Sequence, residues 1–217
     1  VEFMVIVACK YNGIFRENDF EVILNQIGSK DRNTNIANGL KDHPFFIKIV
    51  DKYHFRFDFL NAFFKSIKIK TILGEPTIDG INEFIDLFSE SLDYNSQIST
   101  NLLIQIKDEL ESYIINAKIL ISQIKDLSII TLKKEKAISN IFILLSQCCN
   151  ENLSVKKMMS NIFLDEFGHI NNFYLLNLNK SMELKLDFKD LYFSNSKIED
   201  FDNFLICDFD DNTFFDD

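Results

Sequence analysis

Between Pro44 and Lys68 the apolar residues change period twice, in the stretch PFFIKIVDKYHFRFDFLNAFFKSIK. Phe45-Phe46-Ile47-Lys48-Ile49-Val50 is aromatic and β-branched, with Pro44 at its first position, where a strand tolerates a missing N–H. Asp51-Lys52 then reads as a tight turn. Tyr53, Phe55 and Phe57 alternate with Lys52, His54 and Arg56, the two-residue period of a half-buried strand. Asp58 can cap the next element, its carboxylate accepting from first-turn N–H groups. Beyond it the period is helical: Phe59, Phe63 and Ile67 form one row, and Leu60 and Phe64 the adjacent row. The stretch predicts a hairpin followed by an amphipathic helix.

The residues before it predict three small helices. Phe3 to Cys9 is a continuous apolar run, expected as a buried helix over Glu2–Lys10 that Gly13 ends. A second helix starts at Asn18 or Asp19, with Phe20, Ile23, Leu24 and Ile27 at helical spacing and Gly28 at its C-cap. A third runs about Arg32–Leu40.

Behind the hairpin and its helix, Gly74-Glu75-Pro76 is the clearest linker signal. Thr77 or Asp79 then opens a helix with Ile81, Phe84, Ile85 and Phe88 on one face. From Ser96, Leu103, Ile106, Leu110, Tyr113, Ala117, Leu120 and Ile124 alternate steps of three and four, which predicts one long helix docked in an antiparallel pair. Another helix over Lys133–Cys149 presents Ala137, Ile141, Leu144, Leu145 and Cys148, and a short one comes after it near Val155–Glu166. No fixed repeat of solenoid length is present, so the block reads as an irregular helical bundle or solenoid.

After Gly168 the period becomes strand-like, through Ile170, Phe173, Leu175, Leu176 and Leu178. A five-residue register comes next: Phe188, Phe193 and Ile198, then, after a one-residue slip, Phe204, Phe209 and Phe214. Leu186, Leu191, Ser196, Asp202, Cys207 and Asn212 stand two positions before these centres. The register resembles the pentapeptide-repeat family, which implies a right-handed quadrilateral β-helix with the centres stacked inward. Asp202, Asn212 and the slip depart from that pattern around residues 199–204. The bland alternative is an acidic tail with incidental phenylalanines.

The expected fold is therefore mainly α. It comprises a winged-helix-like part over residues 1–72, a helical bundle or solenoid over 73–166, and a β-rich, pentapeptide-like start of a β-helix over 167–217. Helices followed by a hairpin outline the first of these. Its motif Tyr53, Phe55, Arg56, Asp58, Phe59, Leu60, Phe63, Phe64 resembles the winged-helix segment behind the ATPase core of STAND-type NTPases, with the NACHT branch closest. The resemblance covers about the first third of the chain. It implies a non-catalytic regulatory or sensor portion, an ATPase domain upstream of Val1 as partner, a role in signalling or antiviral defence, and a cytoplasmic location. A freestanding interaction scaffold with no NTPase is the competing reading.

Charge narrows the partners. The net charge is −10, and Glu183–Asp217 alone holds eleven acidic residues against three lysines. Arg16, Arg32 and Arg56 are the only arginines, so the chain lacks the basic stripe that a phosphate backbone needs. That argues against nucleic acid and for protein partners. Cys9, Cys148, Cys149 and Cys207 have no CxxC spacing and fit reduced residues of the cytosol. No apolar run reaches the roughly 18 residues of a membrane span, and Phe3–Cys9 has neither the basic lead nor the cleavage site of a signal peptide. The helical start at Val1 and the acidic end at Asp217 point to an excerpt of a longer protein.

Catalytic chemistry is not spelled out. No glycine-rich phosphate loop ending in Lys and Ser/Thr occurs, so no cofactor is expected in this chain, and ATP or ADP belongs to the full-length protein. In some of these NTPases a winged-helix histidine contacts nucleotide, which makes His43 and His54 the candidates; an exposed hairpin position is the alternative for His54. Asp208, Asp210, Asp211, Asp216 and Asp217 lack the spacing of a calcium loop, and no metal site is expected. An enzyme site across the helical block would require a deep pocket with convergent polar groups.

Overall fold

The computed structural model describes residues 1–27, 39–77, 80–90, 97–127, 132–149, 170–171, 192–194, 197–198 and 208–215. These residues are mainly helical, with one small antiparallel sheet and short parallel strand pairs near the end. The chain divides into two compact units, Val1–Lys68 and Ile69–Asp217.

In the first unit α1 (Glu2–Tyr11) buries Phe3, Met4, Val7 and Ala8. It closes with Asn12 and Gly13 both left-handed, and Gly13 N–H donates to Val7 O at 3.0 Å. That six-residue return satisfies a carbonyl that the helix end would otherwise leave open. The chain enters a strand at once, β1 (Ile14–Arg16), and then α2 (Glu17–Gln26). Asp19 locks the entry to α2 by accepting from Arg16 N–H at 2.7 Å, half of a capping box. Phe20 and Ile23 point inward, with Leu24 and Ile27 partly buried beside them. The third expected helix, about Arg32–Leu40, lies outside the described residues except at its end, where residues 39 to 41 are helical.

The hairpin forms as expected, from β2 (Phe46–Ile49) and β3 (Lys52–Phe55). Its tight turn is Val50-Asp51, one residue earlier than the sequence pattern places it, because Ile49 pairs with Lys52. β1 adds to the other side of β3, giving a three-stranded sheet in the order β1-β3-β2. This third strand is absent from the sequence expectation. With three residues it shows no period of its own, and it exists only because β3 offers a free edge.

Helix α3 (Asp58–Gly74) packs Leu60 and Phe64 against the sheet, with Ile67 partly buried beside them. Asp58 is its first residue rather than a cap in front of it, a position where a carboxylate still favours the positive helix end. The core of the unit is aromatic. Phe15 stacks on Tyr53 at 5.2 Å, and Phe55 stacks on both Phe46 and Phe64 at 5.3 and 5.7 Å. Such pairs add about 0.5–1.5 kcal/mol each beyond the area that they bury.

The second unit takes in the end of α3, then α4 (Ile81–Glu90), α5 (Gln97–Ile106), α6 (Leu110–Asp126) and α7 (Leu132–Cys149). Ile81, Phe84, Ile85 and Phe88 are all buried on α4, where Phe84 and Phe88 stack at 4.4 Å. The long helix expected from Ser96 is broken. A 3-10 turn, Lys107–Glu109, separates α5 from α6, yet Ile106, Tyr113, Ala117, Leu120 and Ile124 of the seam are all buried. The acidic run Asp108, Glu109 and Glu111 explains the break, since carboxylates favour the start of a new helix over the middle of an old one. Ala137 and Ile141 of α7 are buried as expected. The side chains of Leu144, Leu145 and Cys148, and the helix near Val155–Glu166, lie outside the described residues.

In the tail, β4 (Ile170–Asn171), β5 (Tyr192–Ser194) and β7 (Asp208–Phe209) pair in parallel, as do β6 (Lys197–Ile198) and β8 (Phe214–Phe215). The register sets the expected repeat centre Phe193 beside the centre Phe209. That pairing spans three steps of the five-residue register plus the slip, where a four-sided coil takes four steps. Of the other expected centres, Phe214 pairs with Lys197 and Ile198 with Phe215, while Phe188 and Phe204 lie outside the described residues.

Candidate interaction surface

The signature residues of the first unit divide between core and surface. Tyr53 and Phe64 are buried and Phe55 half-buried, all within the aromatic core. Arg56 is exposed; its backbone N–H donates to Phe45 O at 2.7 Å and its guanidinium reaches Phe46 O at 3.4 Å, closing the open end of the hairpin. Phe59 and Phe63, expected on the packing face, are turned outward at 50% and 39% exposure. The reason is the position of the core stripe. Leu60, Phe64 and Ile67 follow a four–three spacing that fits the sheet, and a second row one residue earlier sits about 100° away around the helix.

Phe57 completes this outward row. Its ring stacks on Phe59 at 5.7 Å, and Phe63 lies one helical turn further along. These three half-exposed phenylalanines form an apolar row on the surface of the unit. The sequence pattern does not separate the two rows, because both carry aromatic residues at the same spacing.

The candidate histidines are not brought together. His43 Nδ1 accepts from Phe45 N–H at 3.2 Å, and its ring meets Phe45 edge-on at 4.6 Å, so it serves the turn into β2. His54 lies on the sheet face away from the core, between Ile14 of β1 and Ile47 of β2 in the register.

The polar centre of the unit is Glu17. It binds Lys41, accepts from Tyr53 Oη at 3.0 Å, and has Lys48 at 3.7 Å. The Lys41 bond, then that of Tyr53, holds its carboxyl below the usual range, and the same Lys41–Glu17 bond raises the lysine. Tyr11 is raised by burial. This arrangement ties helix to sheet and contains no nucleophile–base pair. Among the described residues no group of three or more His, Cys, Asp or Glu is placed to hold a metal ion, and no helix is long and apolar enough to cross a membrane.

No family model matches the chain, and no curated protein or solved structure matches it.

Proposed function

We propose that this chain is the non-catalytic, regulatory portion of a STAND-type NTPase of the NACHT kind, with the first unit acting as a winged helix. The order α1-β1-α2-β2-β3 with the sheet order β1-β3-β2 supports that reading. So does the helix after the hairpin, which carries the signature resembling that family. The observation that carries the functional part is the outward row Phe57, Phe59, Phe63, which gives the unit an apolar face for a protein rather than a basic face for nucleic acid.

In this reading the row docks on a nucleotide-binding core encoded upstream, and ADP held by that core favours the docked, inactive form. The helical and pentapeptide-like parts bind protein partners and bias the docking, a coupling that needs different contacts in the two states. The whole acts in the cytoplasm, in signalling and antiviral defence.

The test is nucleotide retention by the full-length protein. Wild type purifies with bound ADP, measured by chromatography after denaturation, and the pair Phe59→Ser with Phe63→Ser loses most of it. The absence of any upstream nucleotide domain, or retention indifferent to the pair, overturns the reading and leaves a freestanding interaction scaffold.

A further inference from the structure

The sheet of the first unit has one packed face and one open face. The inner one carries Phe15, Tyr53, Phe46 and Phe55. The outer one follows from the register. Ile14, His54 and Ile47 form one row across β1, β3 and β2, and Arg16, Lys52 and Ile49 form the next. An antiparallel sheet with one wet face should be polar there. Here Ile14 and Ile47 are each 43% exposed, Ile49 is 51% exposed, and Val50 at the hairpin tip is 91% exposed.

The charged residues in those rows, Arg16 and Lys52, are both cationic and stand opposite each other in the register. Among the described residues no carboxylate forms an ion pair with either side chain. Of the nearby acids, Asp19 caps α2, Glu17 faces Lys41 and Tyr53, and Asp51 stands exposed in the hairpin turn beyond the two rows. An occupant of this face must therefore supply both apolar side chains and carboxylates.

We infer that the outer face of the β1-β3-β2 sheet docks an acidic amphipathic helix of a partner protein, its apolar stripe over Ile14, Ile47 and Ile49 and its flanking carboxylates toward Arg16 and Lys52. Three strands at a spacing of about 4.8 Å make a platform roughly 10 Å wide, the diameter of one helix. A helix also completes the layering by which sheets cover their apolar faces. Nucleic acid fits less well, because the isoleucines sit where stacking aromatics or further cations would be needed. This surface is distinct from the Phe57, Phe59, Phe63 row, and the inference stands or falls without an upstream nucleotide domain.

The test uses the whole chain and a fluorescein-labelled helical peptide of about four turns, with leucine on one stripe and glutamate elsewhere. Fluorescence anisotropy reads its binding. Wild type binds; the pair Ile47→Ser with Ile49→Ser weakens binding about tenfold or more, the effect of losing roughly 1.4 kcal/mol. Lys52→Glu weakens it several-fold by charge, and Ile115→Ser, at an exposed position of α6, leaves it unchanged. All these positions lie at the surface, and thermal melts of each variant confirm that the fold is retained. Binding that ignores the isoleucine pair, equal binding of the same peptide with lysine for glutamate, or no binding at all overturns the inference. So does a preference for a single-stranded oligonucleotide or for phosphatidylserine vesicles over the glutamate peptide.

Discussion

Tyr53 donates its hydroxyl hydrogen to Glu17 at 3.0 Å, joining the central strand of the sheet to the first turn of α2. The same tyrosine ring stacks on Phe15, so one side chain bridges the apolar core and the charged group above it. Glu17 in turn collects Lys41 and Lys48, and the whole set depends on a single carboxylate being ionised.

That dependence sets a pH response. The folded state holds the Glu17 carboxyl below its ordinary value, so its contribution is complete above about pH 4.5 and is lost as the pH falls through the lowered folded value. Glu17→Gln should lower the urea midpoint by a constant amount between about pH 6 and 8. Below pH 4.5 the gap between the two proteins should close. A gap that persists in acid would mean that the charge is not what Tyr53 and Lys41 recognise.

Gly13 is a tight backbone position in the first unit. Its φ is +81°, and a Cβ there would lie 2.9 Å from Phe55 Cδ2, on a ring that is itself held between Phe46 and Phe64. Gly13→Ala combines a left-handed alanine with overpacking, and about 2–4 kcal/mol should be lost in urea unfolding. A loss well below that range would mean that Phe55 yields more easily than its two stacking partners imply.

How far these features are legible in the sequence depends on whether they are local. The hairpin, α2 and α4 follow from a period carried by residues within a few positions of one another, although α2 begins at Glu17, ahead of the expected Asn18 or Asp19, and the expected cap Gly28 lies outside the described residues. Strand β1 does not, since Ile14-Phe15-Arg16 becomes a strand only against β3, across some forty residues of intervening chain. The outward turn of Phe59 and Phe63 is equally hidden. A helix with two adjacent aromatic rows has no internal reason to bury one of them, and the shape of the partner sheet decides. The break at Lys107–Glu109 is legible in principle, because three acidic residues within four positions signal a helix start. The heptad-like spacing across the break masks that signal, and the spacing survives as a buried seam.

The two rows of α3 give a direct contrast. Phe64→Ala removes a ring packed among Phe45, Phe55 and Phe63 and should cost about 3–5 kcal/mol. Phe63→Ala, one residue earlier, should cost about 1 kcal/mol or less, because much of its ring already faces solvent. Thermal unfolding of both variants at equal concentration checks the ordering. Equal losses would place both rows in the core and remove the apolar surface on which the proposed function rests.

At Val50 the residue type and the backbone disagree. It sits at the hairpin turn with φ +59°, a left-handed conformation that a β-branched side chain disfavours strongly. Its side chain is almost wholly exposed and cannot recover that cost by packing. Glycine would relieve the strain at some cost in unfolded-chain entropy, so Val50→Gly should stabilise the unit by about 0.5–1 kcal/mol in urea unfolding. The same substitution removes the apolar tip beside Ile49. If that tip serves the helix-docking face, the more stable variant should bind the glutamate–leucine peptide less tightly than wild type. A variant both more stable and unchanged in binding would confine the docking face to the strands and leave the strained valine without a role there.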